Sequence, residues 1–150
     1  MSGLRSTVEM VKVIAAPDRQ RAIASLTLAF SCDPEPDAET TVEIMRESMN
    51  DQTFEDINGV FEQMDKLHPT DEHWYLPLTG VDPVAQGRGL GSTLLRPALN
   101  ICDRDGLPAY LEATSPRNRD LYARHGFDIV ETMQAGTSPP LWAMLREPVR

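Results

Sequence analysis

Gln86-Gly87-Arg88-Gly89-Leu90-Gly91-Ser92 decides how this chain is read, because of what flanks it. Ahead of it, Trp74-Tyr75-Leu76-Pro77-Leu78-Thr79-Gly80-Val81 has the composition of a strand. Behind it, residues 92–102 repeat apolar side chains at Leu94, Leu95, Ala98, Leu99 and Cys102, which is one face of a helix. A glycine-rich turn between a strand and a helix start gathers several unpaired backbone N–H groups in one concavity. The helix dipole adds roughly half a positive charge there. Glycines let the backbone approach a bulky anion closely and permit positive φ. The stretch therefore predicts a seat for a phosphate or pyrophosphate.

Spacing separates the phosphate loops that compete for it. A dinucleotide loop requires G-x-G-x-x-G, but counting from Gly87 the last position falls on Ser92. A P-loop requires Gly-Lys-Ser/Thr, and this segment holds no lysine. What remains is Gln/Arg-x-x-Gly-x-Gly/Ala, met by Gln86, Gly89 and Gly91. Further on, residues 108–114 read as a strand, and Ser115-Pro116 as the N-cap and first residue of a short helix. That helix carries Leu121 and Tyr122 and ends at Gly126, with Phe127 opening the next strand. Together the loop and Leu-Tyr-x-x-x-Gly-Phe resemble the two hallmarks of the GNAT superfamily of acyl-CoA N-acyltransferases, over roughly residues 74–142.

The resemblance implies an α/β domain with a mixed sheet flanked by helices, using acetyl-CoA as co-substrate and no metal. It implies that the backbone of Gly87, Arg88, Gly89, Leu90, Gly91 and Ser92 takes the pyrophosphate, with Gln86 opening the motif. Leu78, Thr79, Gly80 and Val81 would meet the pantetheine amides. Tyr122 would stand by the thioester sulfur as general acid. Ser115 occupies the position where the family often has a CoA-contacting asparagine; Asn118, one turn before Tyr122, is the alternative. For the general base, Glu112 is the first candidate, with Asp82 and His73 as rivals and a neutral amine needing no base as the fourth option. His125 reads as a helix C-terminal dipole partner.

At 150 residues the chain is one domain by size. Its 41% hydrophobic and 25% charged content is that of a soluble globular protein. No apolar run approaches the ~20 residues of a membrane helix, and no signal peptide opens the chain, so a cytoplasmic location is the expectation. Cys32 and Cys102 fall in helical patterns and read as buried thiols. The net charge of −9 is concentrated in residues 33–72, which hold 13 acids against Arg46 and Lys66. From His73 onward 8 acids balance 8 arginines, so a nucleic-acid partner is not expected.

Organisation follows as a first strand and helix in residues 1–32, an acidic helical segment in 33–72, and an acetyl-CoA-binding half in 73–150. Residues 8–14 read as a strand, 19–31 as a helix, and 39–49 and 53–67 as amphipathic helices, the last with Phe54, Ile57, Phe61 and Met64 inward. No alternating strand pattern is read between Ala29 and His73, so the second and third strands of the family's fold look absent. A first strand without its neighbour would pair with residues 74–78 or join a second copy as a strand-exchanged homodimer. The expected activity is N-acetylation of an amine by direct attack in a ternary complex. A non-catalytic acyl-CoA-binding or interaction module and a nucleotide-binding regulatory domain are the alternatives.

Overall fold

The computed structural model describes residues 8–9, 24–31, 46 and 49–149. Among the described residues, six strands form one sheet in the order β1-β2-β3-β4-β6-β5. β1 is Val8–Glu9, β2 Ala24–Ser31 and β3 His73–Val81, all antiparallel to their neighbours in that run. Helix α1, Asp51–Leu67, precedes β3; its Asn50 cap accepts a bond from Thr53 N at 2.9 Å. Helix α2, Leu90–Asp105, leads to β4, Ala109–Ala113, which runs parallel to β3. Helix α3, Pro116–Ala123, is followed by the antiparallel pair β5, Asp128–Met133, and β6, Leu141–Arg146.

The sheet separates two apolar layers. On one face α2 lays Leu94, Leu95, Ala98, Leu99 and Cys102 against Trp74, Leu76, Leu111 and Met144, with Tyr122 and Phe127 at the edge. Burial pushes the Cys102 thiol up to about 12, so it is an inert packing group. On the other face α1 brings Met64 and Leu67 onto Tyr75, Tyr110, Met133 and Ala143. A polar clamp holds α1 there. Asp56 accepts from Thr137 N at 2.9 Å, from Thr137 Oγ1 at 2.7 Å and from Gln52 Nε2 at 2.8 Å. Gln63 exchanges hydrogen bonds with the backbone of Gln134 at 3.0 and 3.2 Å.

Three expectations need correcting. Residues 24–31 form a strand, where a helix over 19–31 was expected: Leu26, Leu28 and Phe30 recur with period two, and Ala24–Val81 through Ser31–His73 pair across the sheet. The first strand has a neighbour, since Val8 and Glu9 pair with Ala29 and Leu28. The edge of β3 offered to an exchanged strand is therefore covered by β2. Finally, β6 was not foreseen, yet it lies inside the sheet between β4 and β5. The remainder of the first strand, the helix over 39–49 apart from Arg46 and Met49, and Cys32 lie outside the described residues.

Candidate active site at the splay of two strands

Parallel pairing of β3 with β4 is confined to Trp74–Ala109 and Tyr75–Tyr110. Beyond those pairs β3 continues to Val81 along β2, while β4 continues to Ala113 along β6. The two strands thus diverge, and a cavity of about 400 Å³ opens at the wide end. It is lined by Thr79, Gly80 and Val81 of β3, by the loop and first turn of α2, and by Asn118, Leu121 and Tyr122 of α3.

The glycine-rich loop performs as its composition dictates. Gly87 and Gly89 sit at φ 78° and 79°, a region that side chains with a Cβ avoid. Gly89 is the N-cap of α2 and supplies no side-chain cap. The first helical bond runs from Thr93 N to Gly89 O at 3.0 Å. The N–H groups of Leu90, Gly91 and Ser92 precede it and are the orphan donors of the helix end, in the cavity wall. Gly91 has a different reason. A Cβ there would meet Leu121 Cδ2 at 2.9 Å, so its smallness serves the contact of α2 with α3.

Gln86 ties the walls together. Its Nε2 donates to Val81 O at 3.1 Å, and its Oε1 accepts from Arg117 Nη1 at 2.7 Å. Arg117 and Arg124 line the cavity, and none of the lining residues is acidic. Sequence reasoning missed both arginines. The available signal was their separation along α3, about two helical turns, which puts them on the face that carries Leu121. Arg88 is exposed and lies outside the lining. His125 does more than face a helix end: its Nε2 lies 2.8 Å from Ser92 Oγ, joining the end of α3 to the first turn of α2.

Tyr122 is 5% exposed, stacked edge-on against Phe127 at 5.8 Å. Burial pushes its phenol up, and the neighbouring Thr79 hydroxyl opposes the shift without meeting hydrogen-bond geometry. Thr79 Oγ1 is buried with no hydrogen-bond partner among the described residues. A phenol held in its protonated form beside an unsatisfied hydroxyl is suited to give a proton to a developing anion. Ser115 is spent on capping α3, accepting from Asn118 N at 3.2 Å, whereas Asn118 itself lines the cavity. Leu78 stands in β3 opposite Thr27.

Glu112 is absent from the cavity lining. It lies two residues past the last β3–β4 pair, at the base of the splay, and Oε2 accepts from Tyr75 Oη at 2.8 Å. Oε1 is buried without a hydrogen-bond partner among the described residues. Of its rivals, Asp82 caps the turn Pro83–Ala85, accepting from Val84 N at 3.0 Å. His73 is 1% exposed and donates from Nδ1 to Asp71 O at 2.8 Å. Among the described residues no group of His, Cys, Asp and Glu suits a metal ion, and no helix is long and apolar enough to cross a membrane.

Comparison with known proteins agrees with this geometry. Residues 57–127 match the acetyltransferase (GNAT) family model. An uncharacterized N-acetyltransferase of Schizosaccharomyces pombe is 40% identical over 88 residues, which cover 56% of this chain and 36% of that protein. The chain therefore spans about a third of the length of that curated relative. A histone acetyltransferase HPA2 and related acetyltransferase from Corynebacterium glutamicum superposes with a TM-score of 0.58 at 25% identity, covering 89% of this chain and 62% of that one. Arabidopsis thaliana Naa50, solved with the bisubstrate analogue CoA-Ac-MVNAL, gives a TM-score of 0.50 at 15% identity, covering 83% and 65%. The splayed strands and the glycine loop fall within the stretch that matches the GNAT acetyltransferase family model, and the α/β fold is that of a GNAT acetyltransferase domain.

Proposed function

We propose that this chain binds acetyl-CoA at the splay and transfers its acetyl group to an amine by direct attack. One observation carries the reading: an uncapped helix start, two arginines and no acid line the same cavity. Three orphan N–H groups and the positive end of α2 suit a pyrophosphate, and Arg117 and Arg124 supply the countercharge. The diverging edges of β3 and β4 leave main-chain groups for the amides of a pantetheine arm lying between them. That arm carries the thioester toward Tyr122 and Thr79.

The chemistry needs a proton for the leaving thiolate and an acceptor for the amine proton. Tyr122, held as the neutral phenol by burial, supplies the first. Glu112, with one oxygen unsatisfied at the base of the splay, takes the second. Holding both partners in one cleft converts the encounter into a near-intramolecular step.

The test is a thermal-shift panel of CoA, acetyl-CoA, ATP and NAD, followed by thiol-release turnover with tyramine, spermine and a short peptide as acceptors. A ligand at a hundred times its Kd adds about 2.7 kcal/mol of apparent stability. Acetyl-CoA is expected to stabilise the chain, and one acceptor is expected to release thiol. Stabilisation by ATP or NAD in place of CoA would overturn the site assignment. Binding without turnover for any amine would make the chain an acyl-CoA-binding module.

A further inference from the structure

The face of the sheet under α1 holds a chain of polar groups within an apolar layer. Helix α1 ends at His68, whose backbone N donates to Met64 O at 2.8 Å; this places its ring over β3 and β4. The ring stands edge-on to His73, Tyr75 and Tyr110 at 4.9, 4.9 and 5.0 Å. His68 Nε2 lies 3.1 Å from His73 Nε2, and His68 Nδ1 lies 3.9 Å from Glu112 Oε1. Side-chain exposure is graded along this path, 6% for Glu112 and 29% for His68.

The hydrogen-bond partners assign the protons. A carbonyl can only accept, so His73 Nδ1 carries a hydrogen toward Asp71 O. Burial lowers the affinity of His73 for a second proton, which leaves its Nε2 a lone pair. The short contact between the two Nε2 atoms then requires the hydrogen to sit on His68 Nε2. That leaves His68 Nδ1 as the nitrogen with the lone pair, 3.9 Å from the unsatisfied oxygen of Glu112.

We propose that Glu112 and His68, with His73 holding the tautomer, form the exit by which the amine proton leaves the acyl-transfer cleft. The inference rests on the acetyl-transfer reading and assigns roles to two histidines outside the cavity. In the step, the amine nitrogen bonds to the thioester carbon, the C–S bond breaks, and the thiolate takes the Tyr122 proton. The proton lost from nitrogen goes to Glu112 Oε1, then to His68 Nδ1, and from the partly exposed ring to water. Water returns a proton to Tyr122. An acceptor that arrives as an ammonium releases one proton overall, and that proton needs such a route. The titratable groups facing His68 are His73 and Tyr75 from β3 and Tyr110 and Glu112 from β4.

Two measurements on the full chain test this. Long-range ¹H–¹⁵N correlation spectra between about pH 5.5 and 8 report each imidazole's tautomer directly. His73 is expected as the neutral Nδ1–H form, and His68 as the Nε2–H form. An Nδ1–H tautomer at His68 overturns the proposal. In turnover, His68→Gln is expected to cut kcat about tenfold or more with KM for acetyl-CoA unchanged, and added imidazole to restore part of it. Full activity in Glu112→Gln refutes Glu112 as base within the acetyl-transfer reading. Impaired Glu112→Gln beside unimpaired His68→Gln refutes the exit alone.

Discussion

Asp103→Ala removes the contact that anchors the end of α3 near the cavity, together with a bond that Asp103 Oδ1 accepts from Val149 N at 2.8 Å. Arg146 of β6 donates from Nη1 to Asp103 Oδ1 at 2.7 Å and from Nη2 to Oδ2 at 2.9 Å. Its Nε donates to His125 O at 3.1 Å, and its stem lies against Gly126. The Arg146 side chain is 8% exposed and that of Asp103 24%. Stripping a fully buried ion of its partner costs about 3–5 kcal/mol. Asp103 sits at a rim where water can replace part of what is lost, which reduces the penalty to about half that range. Removing a carboxylate from the last turn of α2 returns about 0.5 kcal/mol of helix-dipole repulsion. The balance is about 1.5 kcal/mol, or a Tm lower by about 3–6 °C for a domain of this size. Differential scanning calorimetry of the variant beside Asp103→Asn, which keeps an acceptor, reads this directly. A Tm within about 1 °C of the parent chain would refute the anchoring argument.

Gly89→Val is expected to abolish acetyl-CoA binding by calorimetry, because a β-branched residue at φ 79° pulls the first turn of α2 out of shape; a Cβ there meets no protein atom within 4 Å, so the core stays intact. Tyr122→Phe is expected to lower kcat by about 10²-fold or more with acetyl-CoA affinity nearly unchanged, checked by steady-state thiol release. Stability is expected to fall on acidification. Burial depresses the folded pKa of His73 and of His125, where Arg96, Arg124 and Arg146 add to the effect. The stability these groups confer is therefore full above about pH 6.5, where both states are unprotonated, and is lost as pH drops to and through the depressed folded values. Thermal melts of His73→Asn against the parent chain should show a flatter pH slope for the variant.

The glycine loop, α2, β4 and α3 were legible because each is announced by neighbours in sequence: positive-φ glycines, a Ser-Pro start, a glycine stop. Residues 24–31 misled because Ile23 and Leu26 give a helical spacing that competes with the alternation of Leu26, Leu28 and Phe30. Pairing with β3 decides the contest, and no local signal records it. In β6, Leu141 to Leu145 is apolar on both faces, since the strand is flanked by β4 and β5 and covered on either side. Such a run has no period to find. The contact of His68 with Glu112 was out of reach for a related reason: a helix end and a strand centre meet only after α1 docks.

The clamp between α1 and the β5–β6 loop ties residues separated by 71 and 81 positions along the chain. Closing so long a span gives little return until both pieces are already built, so the layer under α1 is a late assembly on a finished sheet. It is also a seam. The sheet stands between α1 and the cleft wall formed by α2 and α3. The contacts that seat α1 and the loop that would grip a cofactor thus lie on opposite faces of one sheet.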